Sequence, residues 1–480
     1  MKLPVSFIDR MDEFFKRSGI PADGFEASFD AEPRKGIRIN TLKSPADMFP
    51  DIMRSLGEDF DPVPWCSCGF YTKGEGTGND PYYHAGVYYP QEPSAMLPAE
   101  VMGVRPGDRV LDLCAAPGGK ACRMGEDLKG EGLLVANEIN ANRAKALLRN
   151  IERMGIAGAV ILNETPENLA GRLRGFFDKI LVDAPCSGEG MFRRDPNAVK
   201  SWERFGPDTC MPMQRDILDA ADKMLRPGGE LVYSTCTFFE GEDEDMVLSF
   251  MDSHPGYEVI AHPEISGVTH ASDNDKLPGS MRIWPHLSGG DGHFCVHLKK
   301  SENIEGDMSS LDKIPSYKLR RNDNYGFGKS KQCYESFMKD ILVDFDMSSR
   351  QGDFVMHGNR IHFLNVEERW FNGLKAVKLG EYPGEIKTTS VERIFVPSNS
   401  LALSLNFEFI REDSLLSLSR EDDRLIRYIK GETLTLSTEE TNRLKKSGHI
   451  VVAADRYPLG FGKLSGSQLK NMYPKNWRLM

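Results

Sequence analysis

The pattern that most constrains the fold is an alternation of short apolar segments with helical segments between Arg105 and Lys299. This alternation is typical of a parallel sheet built from strand–helix–strand crossover units, and it predicts an α/β fold. The predicted strands are DRVLDLC (108–114), GLLVANE (132–138), GAVILN (158–163), DKILVDAP (178–185) and GELVYSTC (229–236).

The ends of these predicted strands carry the chemistry. Each strand is apolar along its length and finishes on a polar or reactive residue. In an open parallel sheet, ligands bind outside the carboxyl ends of the strands, where such residues converge. The sequence therefore predicts one site assembled from five distant segments.

The chain is long enough for several domains, since 480 residues exceed the roughly 100 to 200 of an ordinary domain. Residues 1–90 begin with an amphipathic helix and a short strand, and we expect a separate N-terminal extension there. Residues 91–302 hold the alternating pattern. After a polar linker at 301–313, we expect a central domain at 314–390 and a mostly β module at 391–480. The central domain shows a helix near Tyr334–Leu342, a hairpin at DFVMHGNRIHFL and strand-like LKAVKLGEYPGEIK.

Charge is divided unevenly along the chain. The net charge is −11, yet residues 311–480 contain 27 basic and 22 acidic residues, a net +5, which leaves −16 for residues 1–310. The two parts are expected to have different tasks. No apolar stretch approaches the roughly 18 residues that a membrane span needs, so no membrane partner is expected.

Cysteine usage indicates a reducing compartment. Nine cysteines without a regular framework predict free thiols in a cytoplasmic protein. Cys66 and Cys68 are separated by one residue, but no second pair of ligands follows at zinc-site spacing. The sequence therefore predicts no metal site.

A glycine pair follows the first predicted strand in LDLCAAPGGK, residues 111–120. Gly118 and Gly119 would let backbone N–H groups approach a ligand closely at the start of a helix. Glu138 closes the next strand, 26 residues after Asp112, where an acid can bind ribose hydroxyls. Together these features favour an adenosyl cofactor.

Two cysteines end neighbouring strands of the predicted sheet. Cys186 lies in DAPCSGEGMFRRDP after the fourth strand, and Cys236 lies in STCTF at the end of the fifth. A single free cysteine is usually a small buried hydrophobe, but two at one edge of a sheet indicate a task. A thiolate is a strong nucleophile and can add to an electron-poor ring.

These motifs resemble the Nol/Nop/Sun family of RNA cytosine-5 methyltransferases. LDLCAAPGGK, VDAPCSGEGMFRRDP and STCTF carry the resemblance, and it extends over residues 30–300 through RINTLK, AGVYYPQEPSAMLP, NEINANRAKALLRNIERMG and RIWPHLSGGDGHF. With its two C-terminal units the layout is similar to the bacterial 16S rRNA branch, and YPLGFGK and LKNMYPKNWR resemble its PUA-like RNA-binding domain. One departure is His293, which stands where the family usually has an aromatic residue.

The resemblance implies a Rossmann-like S-adenosylmethionine-dependent methyltransferase domain with an N-terminal α+β extension and two small C-terminal α+β/β domains. It also implies that the extension at residues 1–90 binds RNA. It implies that Cys236 attacks carbon 6 of cytosine, that Cys186 serves the release step and that Asp183 hydrogen-bonds the ring nitrogen. Arg193 and Arg194 become candidates for RNA phosphates, and Lys120 for the methionine carboxylate. The implied cofactor residues are Cys114, Ala115, Ala116, Pro117, Gly118, Gly119, Lys120, Glu138, Arg143, Asn163 and Asp183.

The expected partner is RNA, with 16S rRNA or the small ribosomal subunit as the first choice, and the protein is expected to be a monomer. A tRNA cytosine-5 methyltransferase of the same family is an alternative. A catalytically silent RNA-binding factor for ribosome assembly is another, although Cys236 and the glycine loop are both present. A DNA cytosine methyltransferase fits less well, because that class uses the Pro-Cys cysteine as its nucleophile.

Overall fold

The computed structural model describes residues 3–74, 77–194, 196–272, 275–303, 327–349, 352–390 and 392–479. Its strands form four sheets of three, ten, four and five strands. Most of the predicted linker at 301–313 and the start of the expected central domain lie outside the described residues.

The N-terminal segment forms a small sheet and a helix that packs on the rest of the chain. Its sheet has the order β2-β1-β3 with antiparallel pairs. The apolar face of the first helix, including Phe7 and Phe14, packs in one aromatic cluster with Phe238 and Trp284. The elements are α1 (Val5–Ser18), α2 (Phe25–Ser28), β1 (Lys35–Ile39), α3 (Phe49–Ser55), β2 (Gly69–Thr72), α4 (Pro81–His84) and β3 (Tyr88–Pro90).

The next segment supplies the large sheet, in which all five predicted strands are present. They are β4 (Arg109–Asp112), β5 (Leu133–Asn137), β6 (Val160–Leu162), β7 (Phe177–Asp183) and β8 (Leu225–Thr235). The remaining elements are α5 (Leu97–Met102), α6 (Gly119–Asp127), α7 (Ala141–Arg153), α8 (Pro166–Ala170), α9 (Pro196–Met224), α10 (Glu244–Ser253), β9 (Tyr257–Val259), β10 (Thr269–His270), β11 (Met281–Ile283), α11 (Pro285–Ser288) and β12 (His293–Lys300). Helix α9 is interrupted at Gly206, whose φ is 47°.

The order of the sheet explains its continuous apolar strands. Strands β8, β7, β4, β5 and β6 are parallel neighbours, and β12 is antiparallel to β8. Leu134 and Ala136 of β5 pack into one core cluster, whereas Leu133 and Val135 pack into another. Because both faces are covered, every position along the strand favours an apolar residue.

One edge of this sheet is completed by a later part of the chain. Strand β15 (Ala376–Lys378) pairs antiparallel with β6, with Ala376 opposite Leu162. The Lys375 amide donates to the Glu164 carboxylate at 2.7 Å, next to this pairing. Residues 376–378 therefore belong to the large sheet, although they fall within the expected central domain.

The central segment forms the predicted helix and hairpin. Its elements are α12 (Phe327–Ile341), β13 (Asp353–His357), β14 (Arg360–Leu364), β16 (Glu381–Thr388) and β17 (Arg393–Pro397). His357 lies opposite Arg360, so the hairpin turn consists of Gly358 and Asn359. Gly358 has a φ of +63°, in the left-handed region that a tight hairpin turn requires.

The C-terminal segment forms a five-stranded sheet with the order β18-β20-β21-β22-β19. Its elements are α13 (Asn399–Ser404), β18 (Leu415–Leu418), α14 (Asp423–Ile429), β19 (Leu434–Thr435), α15 (Thr438–Arg443), β20 (Ser447–Ala454), β21 (Tyr457–Ser465) and β22 (Gln468–Asn471). It contacts the N-terminal segment, where Arg420 pairs with Asp80 and the Tyr82 hydroxyl donates to Asp455 at 2.8 Å. No helix within the described ranges is long and apolar enough to cross a membrane.

Candidate active site

The polar residues predicted to converge at the carboxyl edge of the large sheet lie together there. Asp183 is the last residue of β7, and Cys236 directly follows β8. The Ser234 hydroxyl donates to the Asp183 carboxylate at 2.8 Å, and the Lys120 ammonium donates to its other oxygen at 2.8 Å. The parallel order of β4, β7 and β8 causes this convergence, because it aligns their carboxyl ends.

The two cysteines form a close pair. Their sulfur atoms are 3.4 Å apart, and the Gly190 amide donates to the Cys236 carbonyl at 2.9 Å, which fixes the loop that carries Cys186. The Ser187 and Thr237 hydroxyls, which follow the two cysteines, are also hydrogen-bonded at 2.9 Å. The neighbouring Cys236 sulfur and burial raise the pKa of the Cys186 thiol well above its ordinary value. Cys186 therefore keeps its proton at neutral pH.

Asp183 is held as a carboxylate by the groups around it. The Nε2 of His293 lies 3.4 Å from Oδ1, in addition to the bonds from Lys120 and Ser234. Burial opposes ionisation, but the Lys120 ammonium and His293 outweigh it and hold the pKa of Asp183 well below its usual range. Lys120, the candidate for the methionine carboxylate, is hydrogen-bonded to Asp183 in this structure.

The glycine loop before α6 is held by two side chains from α7. The Arg143 guanidinium donates to the Ala116 carbonyl at 2.7 Å, and the Asn150 amide donates to the Pro117 carbonyl at 2.8 Å. Gly118 has a φ of +115°, and a Cβ there would lie 3.0 Å from a Leu147 methyl group. A side chain at this position would therefore be strained and crowded.

Glu138 and Asn163 lie at the next two strand ends. The Glu138 side chain is buried, accepts from the Asn140 amide at 2.8 Å and pairs with Arg143 at 3.2 Å. The Asn163 amide donates to the carbonyls of Glu138 and Ile139 at 2.7 and 2.8 Å. Asn163 therefore shapes the backbone after β5.

The structure adds Asp112, a residue outside the predicted set of site residues, to this site. Asp112 is 1% exposed, and neither of its carboxylate oxygens has a hydrogen-bond partner among the described residues. Burial and the Asp183 carboxylate raise its pKa to about 7. A cation bound beside this buried carboxylate would favour its ionised form. An acid that ends a buried strand just before a glycine loop was the sequence signal for it.

The expectation that Arg193 binds RNA phosphate is wrong. Its side chain is only 2% exposed, donates to Asp291 at 3.0 Å and donates to the Gly289 carbonyl at 2.7 Å. Arg194 pairs with the same Asp291 and is 30% exposed. Both arginines lie in the loop after β7 and pair with the buried Asp291, which lies just before β12. The two ion pairs therefore link these segments.

Comparison with known families agrees with this architecture. Residues 99–299 match the family model described as 16S rRNA methyltransferase RsmB/F. Residues 3–93 match the N-terminal domain of 16S rRNA methyltransferase RsmF, and residues 416–479 match the methyltransferase RsmF PUA domain. The three matches cover about three quarters of the chain. The chain belongs to the RsmB/F methyltransferase family. Membership confirms the resemblance drawn from the motifs and the expected fold class.

RsmB/F relatives match along nearly the whole chain. The ribosomal RNA small subunit methyltransferase F of Shewanella amazonensis is 28% identical over 476 residues, which cover 97% of this chain and 94% of that protein. The protein of the same description from Shewanella sp. (strain MR-4) is 29% identical over 467 residues, 95% and 93% of the two chains.

Solved structures share the fold of about 60% of this chain. A methyltransferase homologue from Pyrococcus horikoshii has a TM-score of 0.52 and 25% identity, and the match covers 60% of this chain and 93% of that chain. NSun6 from the same organism, solved with SFG, has a TM-score of 0.51 at 20% identity, with coverage of 60% and 97%. At 20% identity, the similarity to NSun6 shows a shared fold only.

Proposed function

We propose that this protein transfers a methyl group from S-adenosylmethionine to carbon 5 of a cytosine in 16S rRNA. The observation that carries the proposal is the pair of cysteine sulfurs, 3.4 Å apart, beside Asp183 at the carboxyl edge of the sheet. The names of the curated relatives, which describe small-subunit rRNA methyltransferases, support the substrate.

The residues around the glycine loop fit S-adenosylmethionine. Its methionine ammonium would satisfy the buried carboxylate of Asp112, which otherwise lacks partners. Glu138 would accept hydrogen bonds from the ribose hydroxyls, since it directly follows β5, the strand next to β4 and its glycine loop. The cofactor, when bound, supplies a methyl group activated by a positively charged sulfur. Cys114, Ala115, Ala116, Pro117, Gly118 and Gly119 would form the wall against which it lies.

The two cysteines divide the covalent chemistry between them. The Cys236 thiolate adds to carbon 6 of the ring, which moves an electron pair towards carbon 5 and the ring nitrogen. After carbon 5 has taken the methyl group, its proton must leave so that the ring double bond re-forms and the Cys236 thiolate is expelled. Once the Cys236 sulfur is bonded to carbon 6 it carries no charge, so it no longer raises the pKa of Cys186, whose sulfur lies 3.4 Å away. Cys186 can then lose its own proton to solvent and, as a thiolate, accept the proton from carbon 5.

Asp183 and Lys120 would control charge on the ring. Addition of the thiolate increases electron density at the ring nitrogen, and a hydrogen bond there stabilises the adduct. Asp183 is a carboxylate in the free protein and needs a proton to donate that bond. That proton would come from solvent, because the Lys120 ammonium, 2.8 Å from Asp183, keeps its own: burial opposes its charge, but the Asp183 carboxylate outweighs burial and raises the pKa of Lys120.

Methylation mapping by bisulfite sequencing of RNA tests the proposal in cells with and without the protein. A cytosine in 16S rRNA should lose its methyl group when the gene is absent, and wild-type protein should restore it while Cys236→Ala should not. If the affected cytosine lies in a tRNA, the alternative substrate is correct. If no cytosine changes, but small subunits mature slowly and Cys236→Ala restores maturation, the protein is a silent assembly factor.

A further inference from the structure

A second thiol cluster lies outside the active site, between the N-terminal sheet and the large sheet. Cys66 and Cys68 flank Ser67 in the loop before β2, and Glu100 projects from α5 towards them. The two sulfurs are 4.0 Å apart, and the Cys66 sulfur is 3.4 Å from Oε1 of Glu100. Within the described ranges, this is the group of three potential metal ligands whose donor atoms all lie within 4.8 Å of one another.

We propose that Cys66, Cys68 and Glu100 form a binding site for a Zn²⁺ ion that fastens the N-terminal sheet to helix α5. Zn–S and Zn–O bonds of about 2.3 and 2.1 Å at tetrahedral angles place two sulfurs about 3.8 Å apart and a sulfur and an oxygen about 3.6 Å apart. The observed spacings of 4.0 and 3.4 Å fit these values with little movement. Residue spacing did not predict the site, because the third ligand, Glu100, is 32 positions beyond Cys68.

The loop that carries the two cysteines is held in shape before any metal binds. The Cys66 amide donates to the Val63 carbonyl at 3.0 Å, and the Gly69 amide donates to the Cys66 carbonyl at 3.1 Å. The Trp65 indole donates to the Pro93 carbonyl at 2.7 Å. A Cβ on Gly69 would lie only 3.0 Å from the Cys66 sulfur, so the turn closes tightly around it. Such preorganisation lowers the entropic cost of binding.

The two nearby guanidinium groups do not prevent cation binding, because they are already paired. Arg38 donates two 2.7 Å bonds to Glu126, and Arg123 pairs with Glu100 and Asp127. With both thiols protonated, these two cations and three carboxylates give a formal charge of −1. A Zn²⁺ ion that replaces the two thiol protons leaves that charge unchanged.

The cluster is buried, with Cys66 and Cys68 at 3% and 0% exposure, whereas Ser67 between them is exposed. An ion, and a solvent molecule as its fourth ligand, would reach the sulfurs from the exposed Ser67 side.

Titration with Co²⁺ tests the site in the full chain. The experiment uses the Cys186→Ala, Cys236→Ala background under reducing, oxygen-free conditions, because the active-site sulfurs could bind metal themselves. One equivalent of Co²⁺ should produce a thiolate-to-metal charge-transfer band, and one equivalent of Zn²⁺ should displace it and raise the Tm. Adding Cys68→Ser should abolish the band, and Glu100→Gln should weaken binding at least tenfold.

The matched control is Cys333→Ser, which removes a cysteine in the central segment and should leave the titration unchanged. Circular dichroism shows whether each variant is folded. If Cys68→Ser does not fold, Glu100→Gln still tests the site. A folded protein that gives no band, or a band that survives Cys68→Ser, would overturn the proposal. The proposal would also be overturned if the protein binds no metal and mild peroxide treatment removes two hydrogens from Cys66 and Cys68. The two cysteines would then form a redox-active disulfide. None of these readouts depends on methyl transfer.

Discussion

The sulfur of Cys186 lies 3.4 Å from the sulfur of Cys236, although the two residues are 50 positions apart in the chain. Strands β7 and β8 are parallel neighbours, with Asp183 opposite Ser234, so the loops that follow them begin side by side. The neighbouring Cys236 sulfur and burial raise the pKa of Cys186, which favours the protonated form of that thiol in the free protein. A thiol that keeps its proton is a poor nucleophile, so this direction agrees with Cys236 as the proposed attacking residue.

We expect the two cysteine variants to differ on a denaturing gel after incubation with RNA and S-adenosylmethionine. Cys236→Ala should abolish both methylation and the covalent adduct, because the ring is never activated. Cys186→Ala should give a slow-migrating protein–RNA band, because addition and methyl transfer proceed while release fails. The double variant should lack the band. An adduct that survives only in Cys236→Ala would make Cys186 the nucleophile.

Affinity for S-adenosylmethionine should rise with pH through the pKa of Asp112, which is about 7. The ionised carboxylate binds the cofactor ammonium, and below pH 7 a proton must first leave Asp112. We expect binding at pH 6 to be about fivefold to tenfold weaker than at pH 7.5 by isothermal titration. Asp112→Asn should weaken binding and remove most of this pH dependence. If the variant keeps the same pH profile, another group titrates.

The Asp112 carboxylate should lower the free energy of unfolding of the cofactor-free protein at neutral and higher pH. Its pKa is raised from 3.8 to about 7 on folding, so the folded state retains the proton that the unfolded state releases. Its contribution is therefore present below about pH 4 and lost as pH rises towards 7 and beyond. In urea unfolding, the gain in stability of Asp112→Asn over the wild-type free protein should be roughly 2 to 3 kcal/mol larger at pH 8 than at pH 5. Equal effects at both pH values would contradict this assignment.

Glu138→Ala should weaken S-adenosylmethionine binding by about 1.5 to 3 kcal/mol in isothermal titration of the full chain, because a charged acceptor for ribose hydroxyls is lost. The control is Glu131→Ala, which removes an exposed carboxylate before the opposite end of β5. Unchanged affinity in Glu138→Ala would remove that residue from the site.

RNA affinity should depend on two lysines of the C-terminal sheet. Lys463 and Lys470 lie directly opposite each other on β21 and β22, are both exposed and form no ion pair with the residues the structure describes. Opposed like charges destabilise a sheet, and an RNA phosphate between them would relieve the repulsion. Charge reversal of both should weaken RNA binding and reduce the salt slope by about two.

Filter binding over a range of salt concentrations measures this effect. Lys430→Glu, at the end of α14, changes an exposed charge elsewhere in the same segment and should alter binding little. If the double variant Lys463→Glu, Lys470→Glu has the RNA affinity and the salt slope of the wild type, these lysines do not contact RNA.

The sequence by itself determined the parallel sheet and the convergence of its strand ends. Strands buried on both faces must be apolar throughout, so their polar ends were visible without coordinates, and Asp183 and Cys236 do lie together. The motif resemblance identified the family for the same local reason, because loop and strand-end motifs are contiguous in the chain.

Tertiary structure alone decided which charges and thiols meet. Arg193 resembles a free surface cation in sequence, yet it is buried against Asp291, 98 positions away. Cys66 and Cys68 acquire Glu100 only when α5 packs beside their loop, and β15 reaches β6 across two hundred residues. Such contacts depend on packing between segments distant in the chain, and no local periodicity or spacing encodes them.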